Sequence, residues 1–488
     1  MSAPLRVAIV HYHLKRGGVT RVIESTLRGF NQFSNTSVQI VVLAGEVPED
    51  FPAQDQTSVV EGLHYSNTQE HTPDSSTLLQ RMRKAARQAL GGDPDIWHIH
   101  NHSLGKNQAM PGVVSLLAEA GEALLLQIHD FAEDGRPQNY RINQEQSEYT
   151  ERLYPLGQRI HYGLINGRDY AIFAGNESKQ AQLHFLANPV EVETHSSNPE
   201  NAKQIRSTLG ADQLFLYPVR AVRRKNLGEL LFWSTQAKAG TVFATTLGPT
   251  NRDYEATYQA WQSLAQRHQL PAHFGIGQSL EYSFADIMQA ADCILTTSIA
   301  EGFGLSFLEP WLFGKPVAGR DLPEITADFK KQGIQLGPLY QSIPIPAQWI
   351  DGDALEKSIR HQLGESYRLY QRKPPENAIE RALAAIRPSE DTYEFSGLDE
   401  ALQSSVVERL ANNPQASEEL PFHSLEIQNF QNQSESIRKN YGIKAFTQRL
   451  ETLYQKITSQ KVSTIDYLPP GCILDRFLMP ERFRLLRT

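Results

Sequence analysis

Strand-like apolar runs alternate with stretches of helical hydrophobic spacing along this chain. Few folds other than an α/β arrangement of parallel strands accept that pattern. Residues 5–10 read as a strand, and Gly17-Gly18 as a turn. Val19, Val22, Ile23 and Leu27 then recur at helical spacing, so a helix begins near Gly18. Residues 38–43, 95–100 and 123–129 read as further strands, with a short one near Val59-Val60 and a helix at 78–90. Several of these strands end in polar residues, where ligands collect in open α/β sheets. A second alternating series follows Asn188-Pro189. Its strands are expected at 214–219, 241–247, 273–275 and 293–297, and its helices at 226–234, 254–268 and 284–291. From 365 to 435 the chain turns polar, with helices expected at 378–386 and 398–410, and a strong amphipathic helix closes the pattern at 441–457.

Length and charge narrow the function. The chain has 488 residues, room for roughly two to four domains of ordinary size. The formal net charge is -8, which argues against a general nucleic-acid binder. Two cysteines, Cys293 and Cys472, supply neither a disulfide framework nor a thiolate metal site and fit a reducing, cytoplasmic setting. There is no apolar run of transmembrane length and no secretory leader pattern at the N-terminus.

Four constellations carry chemistry. The first is the string Ser298-Ile299-Ala300-Glu301-Gly302-Phe303-Gly304-Leu305-Ser306-Phe307-Leu308-Glu309-Pro310. It reads as strand, glycine-rich turn and helix. Gly302 and Gly304 permit close backbone approach to a ligand, and the amides of Gly304, Leu305 and Ser306 would open a helix N-terminus suited to phosphate. Glu301 and Glu309 could both accept hydrogen bonds from hydroxyls, although a bare pair of glutamates is more often a cap and a surface residue. The second is the basic run Arg220-Ala221-Val222-Arg223-Arg224-Lys225-Asn226, directly after a strand. Arginine forks and a lysine point charge suit a diphosphate; an isolated run of this kind is usually a solvated turn.

The third is His11-Tyr12-His13-Leu14-Lys15-Arg16-Gly17-Gly18, where a Gly17-Gly18 turn entering a helix can receive an anion. The fourth is a pair of histidine-bearing strand ends. His98, His100 and His102 alternate and could share one face, with packing favoured over metal binding. Gln127-Ile128-His129-Asp130-Phe131 ends the next strand. Asp351-Gly352-Asp353 has the spacing of a metal-binding pair but reads as a turn with a helix N-cap.

Taken whole, the string from Glu301 to Glu309, with Gly314-Lys315-Pro316-Val317-Ala318 and Leu322-Pro323-Glu324-Ile325 behind it, resembles the EX7E motif of retaining GT-B glycosyltransferases, family 4 in particular. The resemblance covers roughly 1–345 and 437–457. It implies two Rossmann-like domains facing across a cleft, with a C-terminal helix crossing back to the first. The domains would be an acceptor domain at 1–200, a donor domain at 201–436 carrying an insertion at about 365–435, and a helix with its tail at 437–488 returning to the first domain.

The resemblance also implies roles. Glu301 would touch the donor sugar and Glu309 the nucleotide ribose. Arg220 and Lys225 would clamp the diphosphate, with Arg223 and Arg224 open as alternative arginines. His129 would lie near the donor sugar. Gly17, Gly18, Gly302, Phe303, Gly304, Leu305 and Ser306 would contact the donor, and Lys15, Arg16 and Asp130 an acceptor. The implied activity is that of a hexosyltransferase. It would move a sugar from a nucleotide diphosphate sugar to a hydroxyl on a small soluble acceptor, by front-face displacement with no metal and no other cofactor. A sugar phosphorylase on the same scaffold, an epimerase of the same fold and a non-catalytic nucleotide-sugar sensor stay open as alternatives.

Overall fold

A computed structural model describes residues 3–66, 73–145, 149–175, 182–192, 197–421 and 425–487. They form two compact units: Met1–Val190 with Arg438–Leu478, and Glu191–Ile437 with Met479–Thr488.

In the first unit the strands are β1 (Leu5–His11), β2 (Val38–Ala44), β3 (Thr57–Val59), β4 (Ile96–His100), β5 (Leu124–Ile128), β6 (Tyr154–Leu156), β7 (Ile160–Leu164) and β8 (Gln182–Phe185). All but β6 form one sheet, in the order β3-β2-β1-β4-β5-β7-β8, and each adjacent pair is parallel. β6 pairs antiparallel with Asp466–Leu468. The strands β4, β5 and β7 are buried along their whole length, as expected where a parallel sheet is covered on both faces.

Side chains alternate between those faces. Trp97 and Ile99 join one apolar cluster with Tyr154 and Tyr162. Ile9, Ile96 and Leu125 join the other, which the helix Ile443–Ser459 completes with Phe446, Leu450, Tyr454 and Ile457. That helix packs on the helix Gly18–Phe33. Their close approach depends on Gly29, where an added Cβ would lie 2.0 Å from the Thr447 hydroxyl oxygen. Fully burying each large apolar side chain of this kind stabilises the unit by about 1.5–3 kcal/mol.

The second unit repeats the plan with β9 (Gln213–Arg220), β10 (Thr241–Leu247), β11 (Ala272–His273), β12 (Cys293–Thr296), β13 (Val317–Arg320) and β14 (Leu339–Tyr340). Their order is β11-β10-β9-β12-β13-β14, again parallel. In both sheets the strand order reverses once, between β1 and β4 and between β9 and β12. In open α/β sheets the carboxyl ends of the strands at such a reversal are where ligands bind.

The structure amends the sequence reading in three places. The compact units change at residue 190 rather than 200. Residues 479–487 belong to the second unit, not to the first: Glu481 takes a two-point ion pair from Arg381, Arg482 pairs with Glu324, and Leu485 and Leu486 are buried. The polar stretch at 365–435 contributes to the core of the second unit. Its helix Glu400–Asn412 packs on the helix Leu227–Thr235, and Phe395, Val406 and Val407 are buried. Strands β7 and β8 are elements the hydrophobic pattern did not disclose; in β7, His161 and Gly163 interrupt the apolar run.

Candidate active site

The second unit gathers charge at its reversal point. β9 ends at Arg220, and the chain makes a tight helical turn through Arg223–Lys225 before Asn226 adopts a left-handed conformation at φ 53°. Asn226 is buried and held from three sides. Its amide donates to Glu229 at 2.6 Å, its side-chain oxygen accepts from Gln403 at 2.9 Å, and its carbonyl accepts from the Thr297 hydroxyl at 3.2 Å. The Thr297 hydroxyl also donates to the Lys225 carbonyl at 2.9 Å. The basic turn is therefore fixed to the end of β12.

This anchoring delivers Lys225 to Glu301, and their side chains form a close ion pair. Arg224 approaches the other Glu301 oxygen at 3.8 Å. Burial raises the Glu301 carboxyl pKa, but Lys225 and Arg224 outweigh it and hold the carboxyl below its ordinary value. Burial, joined by the repulsion of Arg224, pulls the Lys225 ammonium below its ordinary value against the attraction of Glu301. Arg223 donates two hydrogen bonds to Glu400, at 2.6 and 2.8 Å, and is committed there. Arg220 is exposed and enters no recorded ion pair among the described residues.

The glycine-rich loop differs from its expected form. Gly304 has φ 90°, a left-handed conformation that favours glycine, and an added Cβ would press on Ile325 at 2.8 Å. A short turn of 3-10 geometry, Leu305–Phe307, follows, and then only a four-residue helix, Glu309–Leu312. Glu309 therefore opens that helix instead of standing a turn inside a continuous one, because Pro310 suits a first turn and lacks an amide donor. Phe303 is buried, and the shielded Ser306 hydroxyl has no hydrogen-bond partner among the described residues. Asp351 caps the helix Gly352–Leu369 by accepting from the Ala354 amide at 3.0 Å.

The first unit gathers neutral imidazoles at its own reversal point. His11, His98, His100 and His129 are all buried. His100 Nδ1 lies 2.9 Å from His129 Nε2, and their rings stack. His98 stacks on His100 with centroids 4.4 Å apart; its Nε2 is 2.9 Å from Gln127 Oε1 and its Nδ1 is 2.7 Å from the Tyr454 hydroxyl. Gln127 Oε1 can only accept, so a neutral His98 carries its proton on Nε2 and takes the tyrosine proton at Nδ1. Asn101, at φ 55°, receives the His129 amide on its side-chain oxygen at 2.7 Å. Burial lowers the pKa of His98 to about 3 and that of His129 to about 4, and places His100 well below its ordinary value. At neutral pH the cluster is uncharged.

His102 does not share the face of His98 and His100. The left-handed turn at Asn101 carries it to the opposite side, where its Nε2 meets the Leu153 carbonyl at 3.0 Å beside Tyr154 and Tyr162. Among the described residues no three side chains of histidine, cysteine, aspartate or glutamate are arranged to hold a metal.

Gly17 precedes the helix Gly18–Phe33 in extended conformation, and a Cβ on Gly18 would meet nothing within 4 Å. Lys15 pairs with Glu46 at 2.8 Å and Arg16 with Asp50 at 3.6 Å, both near the surface. Asp130 pairs with Arg136 at 2.5 Å. Sequence reasoning missed Asn101, Gln403 and Glu400, which hold the histidine and the basic turn. Their partners are distant in sequence, and no local pattern marks them.

Solved structures fix the architecture. Anabaena HepE in complex with UDP and glucose matches with a TM-score of 0.52 over 92% of this chain and 100% of that one, at 14% identity. The fold is the GT-B fold of glycosyltransferases. Another GT-B structure, sucrose-phosphate synthase from Thermosynechococcus elongatus, matches with a TM-score of 0.50 over 93% of this chain and 99% of that one, at 13% identity. In sequence, the mannosylglucosyl-3-phosphoglycerate synthase of Petrotoga mobilis is 26% identical over 351 residues. That match spans 66% of this chain and 66% of the relative, just under two thirds of its length. No family model matches the chain. In this GT-B chain each Rossmann-like unit carries one cluster of candidate residues, at the strand ends where its sheet reverses.

Proposed function

We propose that this chain is a retaining hexosyltransferase. It moves a sugar from a nucleotide diphosphate sugar to a hydroxyl of a small soluble acceptor, without a metal. The observation that carries the reading is the anchored basic turn after β9, with Lys225 and Arg224 on Glu301, and with Arg220 exposed at the end of β9 and in no ion pair among the described residues. A cationic turn at this place in a GT-B sheet suits a diphosphate, and a buried carboxylate suits sugar hydroxyls. The complex of HepE with UDP and glucose supports a donor of this class. The name of the Petrotoga relative supports a soluble, phosphorylated acceptor, toward which Lys15, Arg16 and Asp130 would turn.

In the reaction the bond from the anomeric carbon to the diphosphate oxygen breaks, and a bond from that carbon to the acceptor oxygen forms on the same face. The acceptor proton passes to the departing diphosphate. Arg220 and Lys225 meet the negative charge that grows on the leaving oxygen, the kind of prearranged electrostatic stabilisation that usually contributes most to catalysis. Glu309 would hold the ribose, and Gly17, Gly18 and the 302–306 loop would offer backbone to the donor. His129, neutral and oriented by His100 and Asn101, would hydrogen-bond the sugar. A cytoplasmic location belongs to the same reading, supported by two free cysteines. Among the described residues no helix is long and apolar enough to cross a membrane.

The test incubates UDP-, GDP- and ADP-sugars with phosphorylated and carboxylated polyols, with and without EDTA. Free nucleoside diphosphate and the anomeric configuration of the product are followed by NMR. Acceptor-dependent diphosphate release, retained configuration and indifference to EDTA are expected. A sugar 1-phosphate product, inversion, or turnover that requires added magnesium or manganese contradicts the proposal.

A further inference from the structure

We propose that the outer face of the helix Ile443–Ser459, together with the end of β8, forms a binding site for a small anion carried on an apolar body: a phosphate monoester or a carboxylate. A cavity of about 470 Å³ lies there, lined by His184, Arg449 and Lys456 among others. That volume is in the range of small-molecule sites. The helix divides its residues by face. Phe446, Leu450, Tyr454 and Ile457 enter the core of the first unit, while Ala445, Arg449, Thr452 and Lys456, spaced by three or four, border the cavity.

Among the described residues the cations of this wall have no counter-charge. Arg449 Nε and Nη2 are shielded from solvent and have no acceptor among the described residues. A buried donor left unsatisfied is costly, and more so when it is charged. Neither Arg449 nor Lys456 has a recorded ion-pair partner among the described residues. The one carboxylate between them in sequence, Glu451, accepts from Ser34, Asn35 and Thr36 instead.

His184 adds a third group that can become cationic. His161 Nε2 lies 3.1 Å from the Gln158 carbonyl and must donate to it, so a neutral His161 accepts at Nδ1 from His184 Nε2, 2.8 Å away. Only His184 Nδ1 is then left open, and it donates when protonated. Burial first and Lys456 second lower the His184 pKa to about 4, so at neutral pH the ring is uncharged and the positive charge of the wall rests on Arg449 and Lys456. Phe185, Leu186 and Leu453 supply the apolar wall. An ion alone would leave that wall unused, which is why the occupant carries an apolar portion.

The test uses fluorine NMR of fluorophenyl phosphate, fluorophenylacetate and the neutral fluorobenzyl alcohol, titrated with the full-length protein and with Arg449→Ala and Lys456→Ala variants of unchanged melting temperature. Lys456 is exposed, so its variant keeps the test available should Arg449→Ala fold poorly. Saturable binding of at least one anion, weakened roughly ten- to a hundredfold in either variant, with no binding of the alcohol, is the expected result. The preferred anion identifies the head group. Absence of saturable anion binding overturns the proposal. Binding equal in the wild type and both variants does so too, since it would place the probe elsewhere, as at the basic turn after β9.

Discussion

The two units solve the same topological problem with opposite chemistry. Each sheet reverses once, and each sets its candidate residues at the strand ends beside that reversal. In the first unit these are buried imidazoles without charge, locked by His100, Gln127, Asn101 and Tyr454. In the second they are ions, Lys225 and Arg224 on Glu301 and Arg223 on Glu400. Neutral donors and acceptors suit hydroxyl groups; cations suit a diphosphate. A shared fold thus decides where ligand-facing residues stand, while the side chains at strand ends decide what is recognised.

Removing the ammonium of Lys225 should produce the largest difference between the units. Lys225→Ala is expected to reduce turnover by about two to three powers of ten. It also removes the close partner of Glu301 and leaves that carboxylate only the 3.8 Å approach of Arg224, which costs at most about 3 kcal/mol of stability. Initial rates and a denaturant titration measure both; wild-type values for both would end the ionic account of the second unit.

Acid should separate the units next. The folded pKa values of His98, His102 and His129 lie at about 3 to 4 because of burial, against about 6.5 in an unfolded chain. Between those limits the unfolded state binds more protons. The stability these groups provide is therefore complete above pH 6.5 and is lost as pH falls toward 4, by about 1.4 kcal/mol per histidine per pH unit. Glu133, raised to about 7 by burial, and Asp169, also raised by burial, oppose this: their protonated folded forms favour the fold at low pH, and for Glu133 that advantage fades as pH rises from about 4.5 to 7. Among the described residues the second unit has a single lowered histidine, His273. Hydrogen exchange at pH 7 and pH 5 should show protection lost first in the first unit. Simultaneous loss in both would remove the distinction.

A smaller effect is expected from His100→Asn. Without the 2.9 Å contact to His129, that ring loses its fixed tautomer. Turnover should fall about tenfold, the worth of one hydrogen bond, with donor affinity unchanged. A parallel loss of donor affinity would give His100 a structural role only. The smallest belongs to Arg16→Ala. Its pair with Asp50 is highly exposed, so the melting temperature should not move. A raised acceptor KM in this variant would give the first unit a cationic role besides its neutral one.

Much of this was legible in the sequence because it is local. The strand ends at His11, His100, Ile128, Arg220 and Thr296 follow, within one residue, from short apolar runs. The string from Glu301 to Glu309 is contiguous. What stayed hidden is long-range. Glu400 meets Arg223, and Gln403 meets Asn226, each across 177 residues; both partners lie in the stretch read as an insertion. The final residues were assigned to the wrong unit because Arg482 and Glu481 show charge but not where it is paired. The short helix at Glu309 was overextended because glycine and proline in that loop signal a break without setting its length.

The central claim is that the cations at the end of β9 and in the turn after it stabilise a departing diphosphate, and Arg220 tests it most directly. It is exposed and has no ion-pair partner among the described residues, so its removal should leave the melting temperature unchanged, whereas Arg223 is already held by Glu400. Initial rates at saturating donor should fall about a hundredfold or more in Arg220→Ala and stay near wild type in Arg223→Ala. A crippled Arg223→Ala beside a normal Arg220→Ala would reverse the assignment of the arginine. Wild-type rates in both would contradict the account.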